Sequence, residues 1–370
     1  MLVFATSASA WVRLRPFLLV ALCVLPFVYF CTRTNGLIDL LHLWYVPLMA
    51  TVAATIPASG APVAGGILFL PVLQSFGVCP RDAVAFSSIT QFFGCGIFAP
   101  LNWLAIDPNV FLHEALYVSL IPSVLGALIS LTWYKLHGCH GEHYVVAIFA
   151  CFCGLLSLYV AHSLLCGRKP NPQTTDEKVV QIGRREAWLW FLPCLWGGLL
   201  TGFIGISIEK VLYVLIMMSC DVPVRVATVT SITLVGWVSG FTFVLHALSP
   251  CDPFAPQYIG AVPYDLWLVA LPGILLGSII GPQLNALVGP NRILATFAIA
   301  LAYESIHNTL TLMHQNAFAE CVLTNAESHC EPQHENMAIG HQVARFIPWL
   351  LSDEHASYMR DMWSSSTVMK

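Results

Sequence analysis

Glu209 and Lys210 stand side by side between two apolar runs, inside the stretch 196–240 that reads WGGLLTGFIGISIEKVLYVLIMMSCDVPVRVATVTSITLVGWVSG. An ionised side chain in an apolar surround costs about 3 kcal/mol or more unless it is paired or faces water. If Ser207 caps the helix that follows, Lys210 falls in its first turn, where the helix dipole is already positive and opposes a cation. An anion seated between the ammonium and the helix N-terminus resolves that conflict; a short surface loop with both charges in water is the competing arrangement. Hydroxyls follow: Ser87, Ser88 and Thr90 in one helix, and Thr228, Thr230, Ser231 and Thr233 in another. They either line a polar path or bond only their own backbone and neighbouring helices. Glu304, His307 and Asn308 share a helix face at i, i+3 and i+4. A mid-span carboxylate beside an imidazole suits a proton relay or a structural hydrogen-bonded pair, and Glu209 is a further candidate proton carrier. HGCHGEH (137–143) crowds histidines and a cysteine into one loop. That set can hold a soft transition metal, or it is a polar loop at a membrane surface. Nothing resembles a nucleophile elbow or a phosphate loop, so no enzyme and no cofactor is expected.

The elements that must position these residues come in two copies. Gly60, Gly65 and Gly66 precede a short apolar run, Pro80 and the first hydroxyl group; Gly197, Gly198, Gly202 and Gly205 precede a short run, Pro223 and the second. A constant offset of 143 residues pairs Pro80 with Pro223, Ser88 with Ser231, Ile89 with Ile232 and Thr90 with Thr233. Further on, Leu125-Gly126-Ala127 matches Leu276-Gly277-Ser278 at an offset of 151. Runs of about 20 apolar residues cross a bilayer, and they occur at 12–30, 40–59, 83–105, 112–134, 143–166, 187–206, 224–248, 264–287 and 292–314. Two more, 62–78 and 210–219, are short and interrupted, in matching places of the two copies. Short, glycine-broken segments in corresponding halves are the pattern of broken helices around a transporter's site. The glycines permit unwound backbone and close approach there. The fold class is all-α and polytopic, with about 9–11 membrane segments in two inverted repeats, because an odd number of helices per copy turns the second upside down. The divisions are a leading helix (1–39), a first repeat (40–166), a linker (167–186), a second repeat (187–315) and a polar tail (316–370).

Composition agrees: 57% of the 370 residues are hydrophobic and 10% charged, with mean hydropathy +0.73, far from the roughly 25% charged content of a soluble domain. The bilayer is therefore a partner, and with net charge −4 and no basic block nucleic acid is not. The first run follows Arg13 and Arg15 as in a signal peptide, but no small-x-small cleavage site follows it, so it reads as an uncleaved helix. Arg13, Arg15, Arg168, Lys169, Lys178, Arg184, Arg185, Arg225 and Arg292 fall on one side, against Arg33, Arg81, Lys135 and Lys210 on the other. That bias puts the N-terminus in the cytoplasm and the C-terminus outside or in a lumen. Thirteen cysteines impose no disulfide framework; Cys139, Cys251, Cys321 and Cys330 share the outer side either as thiols or in bridges.

The order of glycine-rich turn, short segment, Pro and Ser/Thr helix, then the LGALIS and LLGSIIG helices, resembles the TauE/SafE family of sulfite and organosulfonate exporters over about residues 40–312. The family's Gly-Gly-Gly turn survives as Ala64-Gly65-Gly66 with Pro71, and is replaced in the second copy by Ser207-Ile208-Glu209-Lys210. The resemblance implies a multi-pass secondary transporter of two related halves that moves a small anion such as sulfite. Its substrate site would be built from Gly60, Gly65, Gly66, Ser87, Ser88, Thr90, Gly202, Gly205, Ser207, Lys210, Thr230, Ser231 and Thr233. Protons would couple through Glu209, Glu304 and His307. A metal-ion transporter using the Cys/His loop, and a receptor or scaffold that transports nothing, are the rival classes.

Overall fold

Apolar segments of bilayer length have no water to satisfy their backbone groups, so those groups must pair within the segment. The computed structural model is accordingly helical, and it describes residues 2–32, 38, 40, 43–63, 65–75, 78–137, 142–165, 184–205, 208–220, 222–248 and 259–324. Helix α1 is Leu2–Cys31, α2 Tyr45–Ala58, α3 Gly66–Ser75 and α4 Pro80–Gln91. A π-helical stretch, Phe92–Phe98, joins α4 to α5 (Ala99–Ile106). Then come α6 (His113–His137), α7 (Glu142–Leu165), α8 (Arg184–Ile204), α9 (Ile208–Ser219), α10 (Val224–Ala247), α11 (Tyr264–Val288) and α12 (Pro290–Thr324). Six helices among the described residues are long and apolar enough to cross a membrane. This is an integral, multi-pass, all-α membrane protein. The last helix continues ten residues past the end of the apolar run at His314. The linker at 167–186 and the tail at 316–370 fall mostly outside the described residues.

Breaks in the helices follow the glycines and prolines. Gly60 and Gly205 close α2 and α8 with φ of 97° and 82°, a conformation that side chains with a Cβ resist. Pro80 opens α4, and Pro223 precedes α10, at the position where the missing N–H has no partner to lose. The π-helical stretch, FFGCGIF, contains Gly94 and Gly96.

Small residues set the helix pairs, since lipid supplies no hydrophobic drive between helices and close backbone packing must. Helix α11 lies along α2, and α8 along α6. A Cβ on Gly273, Gly277 or Gly281 would meet the α2 backbone near Pro47, Thr51 and Ala58 in turn, so these two helices run parallel. A Cβ on Gly198 would meet Ser123, and one on Gly202 would meet Ala127 and Ser130, so α6 and α8 are parallel too. Helix α12 packs on α7, with Gly154 against Ser305 and Ser157 Oγ donating to Ala298 O, and these run antiparallel. Helix α10 crosses the rod of α4, the π stretch and α5 in the opposite direction: Arg225 pairs with Asp107, Gly236 touches Gly96 backbone to backbone, and Gly240 faces Phe92. Helix α1 leans on α5, where Trp11 stacks on Phe98 at 5.8 Å and Trp11 Nε1 donates to Asn102 Oδ1.

These contacts sort the chain ends. Arg13, Arg15, Asp107, Arg225 and Arg292 gather at one end of the bundle, and Arg81, Asp82, Lys135 and Asp265 at the other. Outward-facing Phe17, Leu48, Ile121, Leu155, Leu192 and Ile306 are exposed, while most of the serines and threonines named above are buried. Apolar surface outside and hydroxyls inside is the arrangement for lipid contact.

Candidate functional site

Helices α2 and α3 form one hairpin and α8 and α9 another, and each tip is held at least in part by side chains from the other half of the chain. At the Arg225 end, Asn285 Nδ2 donates to Ser59 O at 2.6 Å, and Trp103 Nε1 donates to Ala58 O at 3.0 Å. Gly60 lies under Asn285 and Ile293, where a Cβ would collide. At the Arg81 end, Tyr134 OH donates to Phe203 O at 3.3 Å, and Gly205 rests on Val84. Two orphaned carbonyl ends are thus satisfied by side chains from across the molecule.

Gln91 ties the second tip to α4. Its Nε2 donates to Gly205 O (2.9 Å) and to Ser87 Oγ (2.6 Å), and its Oε1 accepts from Ser239 Oγ (3.3 Å). All three side chains are buried. Neither Gln91 nor Ser239 stood out in the sequence; the signal for Gln91 was an amide inside an apolar span, four residues after Ser87.

The other hydroxyls are occupied locally. Ser88 Oγ donates to Val84 O, Thr90 to Ser87 O, Ser231 to Thr228 O and Thr233 to Val229 O, each one turn back on its own helix. Thr230 Oγ1 instead accepts from Leu112 N at 3.1 Å. Gly65 is buried beneath the Ala53 carbonyl and Phe69, Gly66 opens α3, and Gly202 packs on Ser130. Ser207 lies outside the described residues. At the α9 start, Thr201 Oγ1 accepts from Ile208 N at 3.1 Å.

Lys210 is fully buried, and so are its partners. Its Nζ lies 2.7 Å from Glu209 Oε1 and 3.3 Å from Glu304 Oε1, with the Phe149 ring 5.7 Å away. Glu304 Oε2 is 3.4 Å from Cys153 Sγ. Helices α7, α9 and α12 therefore meet on one ammonium and two carboxylates. The surface-loop arrangement for this pair is excluded by that burial, and Lys210, counted with the outer side by sequence, belongs to neither end. Glu209 also lies near enough to Cys95 of the π stretch to act on it electrostatically. His307, one turn beyond Glu304, is half-buried and stacks on Tyr303 with centroids 5.8 Å apart; it is not brought into this cluster. Asn308 Nδ2 donates to Glu304 O. The Cys/His loop at 138–141, Cys251, Cys330 and the side chain of Cys321 lie outside the described residues.

Comparison with known proteins shows a family match. Residues 47–307 fit the family described as sulfite exporter TauE/SafE. No curated protein and no solved structure matches the chain. That span takes in both hairpins, both hydroxyl-bearing helices and the Glu209–Lys210–Glu304 cluster, and it covers most of the chain. The protein is a membrane transporter belonging to the TauE/SafE family.

Proposed function

We propose that this transporter carries a small anion, sulfite or an organosulfonate, by alternating access between two inverted units, α2–α7 and α8–α12. The observation that carries this reading is the exchange of packing partners. The first helix of each unit lies along the fourth of the other, α2 on α11 and α8 on α6. The third elements cross each other and run oppositely, as do the fifth, α7 and α12. Self-complementary exchange of this kind is what a two-fold relation produces. Opposite running of matched helices makes that axis lie in the membrane plane.

The two hairpin tips then act as two gates. The Gly60 tip, held by Asn285 and Trp103, closes the Arg225 end; the Gly205 tip, held by Gln91 and Tyr134, closes the Arg81 end. The anion sits between them, oriented by Ser87, Ser239 and the Gln91 amide, with Lys210 on α9 as the cation. Gly65, Gly66 and Gly202 let backbone approach it, while Ser88, Thr90, Thr230, Ser231 and Thr233 keep their helices in register. The basic bias of the Arg225 end supports a cytoplasmic orientation for that end and for the N-terminus.

The test is flux through purified protein in liposomes, comparing sulfite, methanesulfonate and sulfate against protein-free vesicles. Saturable sulfite or sulfonate flux, weakened by Gln91→Leu, is the expected result. Flux of none of the three anions overturns the reading.

A further inference from the structure

We propose that the Glu209–Lys210–Glu304 cluster holds an exchangeable proton and that anion binding recruits a second one, so that each negative charge carried crosses together with one proton. The coupling half of this inference rests on the anion-carrier reading; the proton site stands by itself.

Charge balance is the first argument. The side chains of Glu209, Lys210 and Glu304 are 0%, 0% and 3% exposed. Two carboxylates against one ammonium leave a net charge of −1 in an apolar interior, where an uncompensated charge takes up a proton instead of staying ionised. Among the residues whose side chains are described, the other Lys and Arg stand at the two ends of the bundle, Arg13, Arg15, Arg225 and Arg292 at one and Arg81 and Lys135 at the other. The other titratable groups beside the cluster are thiols, Cys153 from α7 and Cys95 from the π stretch, and His307, one turn beyond Glu304, stacks on Tyr303. One proton on a carboxyl makes the cluster neutral.

Geometry says which carboxyl. Glu209 takes the short, charge-assisted bond to Lys210 at 2.7 Å. Glu304 Oε1 is buried, sits 3.3 Å from the ammonium, and has no aligned hydrogen-bond donor among the described residues. Its Oε2 faces the Cys153 thiol. Glu304 is the proton holder at rest, and Glu209 remains the counter-ion.

An anion A⁻ that reaches Lys210 restores the net charge of −1. The balanced step is A⁻ + H⁺ + (Glu209⁻·Lys210⁺·Glu304-H) → (A⁻·Lys210⁺·Glu209-H·Glu304-H), neutral on both sides. Glu209 lets go of Lys210 as it takes the proton, and the ammonium turns to the anion. Reversal at the other face releases both. The sense is co-transport, one proton per unit of substrate charge.

Two measurements test this. Infrared spectra of the detergent-solubilised protein at neutral pH should contain the carbonyl band of a buried protonated carboxyl, downshifted in heavy water and lost in Glu304→Gln; no such band in the wild type overturns the proton site without recourse to any variant. In lightly buffered liposomes, methanesulfonate, whose single charge is fixed, should enter with alkalinisation outside and accumulate about tenfold per pH unit of imposed gradient. The proton that crosses is the one taken by Glu209, so Glu304→Gln, which only fixes the resting carboxyl neutral, should retain the response to the gradient, and Glu304→Gln combined with Glu209→Gln should lose it. Methanesulfonate flux indifferent to the gradient overturns the coupling and leaves the carrier reading intact. The carboxyl band without flux of any anion overturns the carrier reading and supports the proton site.

Discussion

At the scale of single residues, the buried ammonium is the point of greatest sensitivity. Lys210→Met strands the Glu209 carboxylate beside Glu304, Phe149 and Cys153, and removing one partner of a buried pair costs about 3–5 kcal/mol. Thermal unfolding in detergent should therefore show a large loss for Lys210→Met and recovery of most of it when Glu209→Gln is added; a single variant as stable as the wild type contradicts the pairing. Gln91→Leu should cost about 1–3 kcal/mol, because the Gly205 carbonyl and the Ser87 and Ser239 hydroxyls lose a buried partner together. The same unfolding assay checks it, and Gln91→Glu, which keeps the acceptor and loses the donors, should fall between. Sequence made Glu209 and Lys210 conspicuous because adjacency within an apolar run is a local property. That Glu304 closes on them was not legible: it lies far along the chain on another helix, and nothing in either stretch encodes the packing of α9 between α7 and α12. The serines and threonines were ambiguous in another way, since a hydroxyl that bonds its own preceding turn and one that faces a path look identical in sequence.

At the scale of elements, helix positions depend on glycines that admit a neighbouring backbone. A Cβ on Gly236 would run into Gly96, and one on Gly277 into Thr51. Gly236→Leu and Gly277→Leu should each destabilise the protein by at least about 1–3 kcal/mol by forcing helices apart. Leu276→Ala, on the lipid-facing side of α11, should change stability by no more than about 0.5 kcal/mol. Equal effects at Gly277 and Leu276 would refute this account of the α2–α11 contact. Most helix ends were readable to within a few residues, because apolar length, Pro80, Pro223 and the glycine turns act locally; the start of α1 and the end of α12 each lie ten residues beyond the apolar run. The π-helical stretch was not: the hydrogen-bond register of FFGCGIF is settled by the crossing with α10 at Gly236, a contact between the two halves. Such stretches occur often at functional sites, and this one lies between Gln91 and the α10 crossing.

At the scale of the whole molecule, the basic residues should report orientation. A thiol reagent that cannot cross membranes should reach exposed Cys79, at the Arg81 end, from outside or from the lumen. A cysteine introduced at exposed Asn109, beside Asp107 at the Arg225 end, should react only from the cytoplasmic side; the reverse pattern overturns the orientation. The 143- and 151-residue offsets, with an odd number of helices per copy, gave the expectation of two inverted copies; in the proposal above, the packing of α2 on α11 and of α6 on α8 is where those copies meet. If those copies rock about the anion, one site faces each side in turn and exchange should outrun net movement. The most direct measurement is counterflow in liposomes: labelled sulfite entering vesicles loaded with unlabelled sulfite. The account predicts uptake several-fold faster than into empty vesicles, saturating with concentration. Uptake that is linear in concentration and indifferent to the internal anion would contradict it.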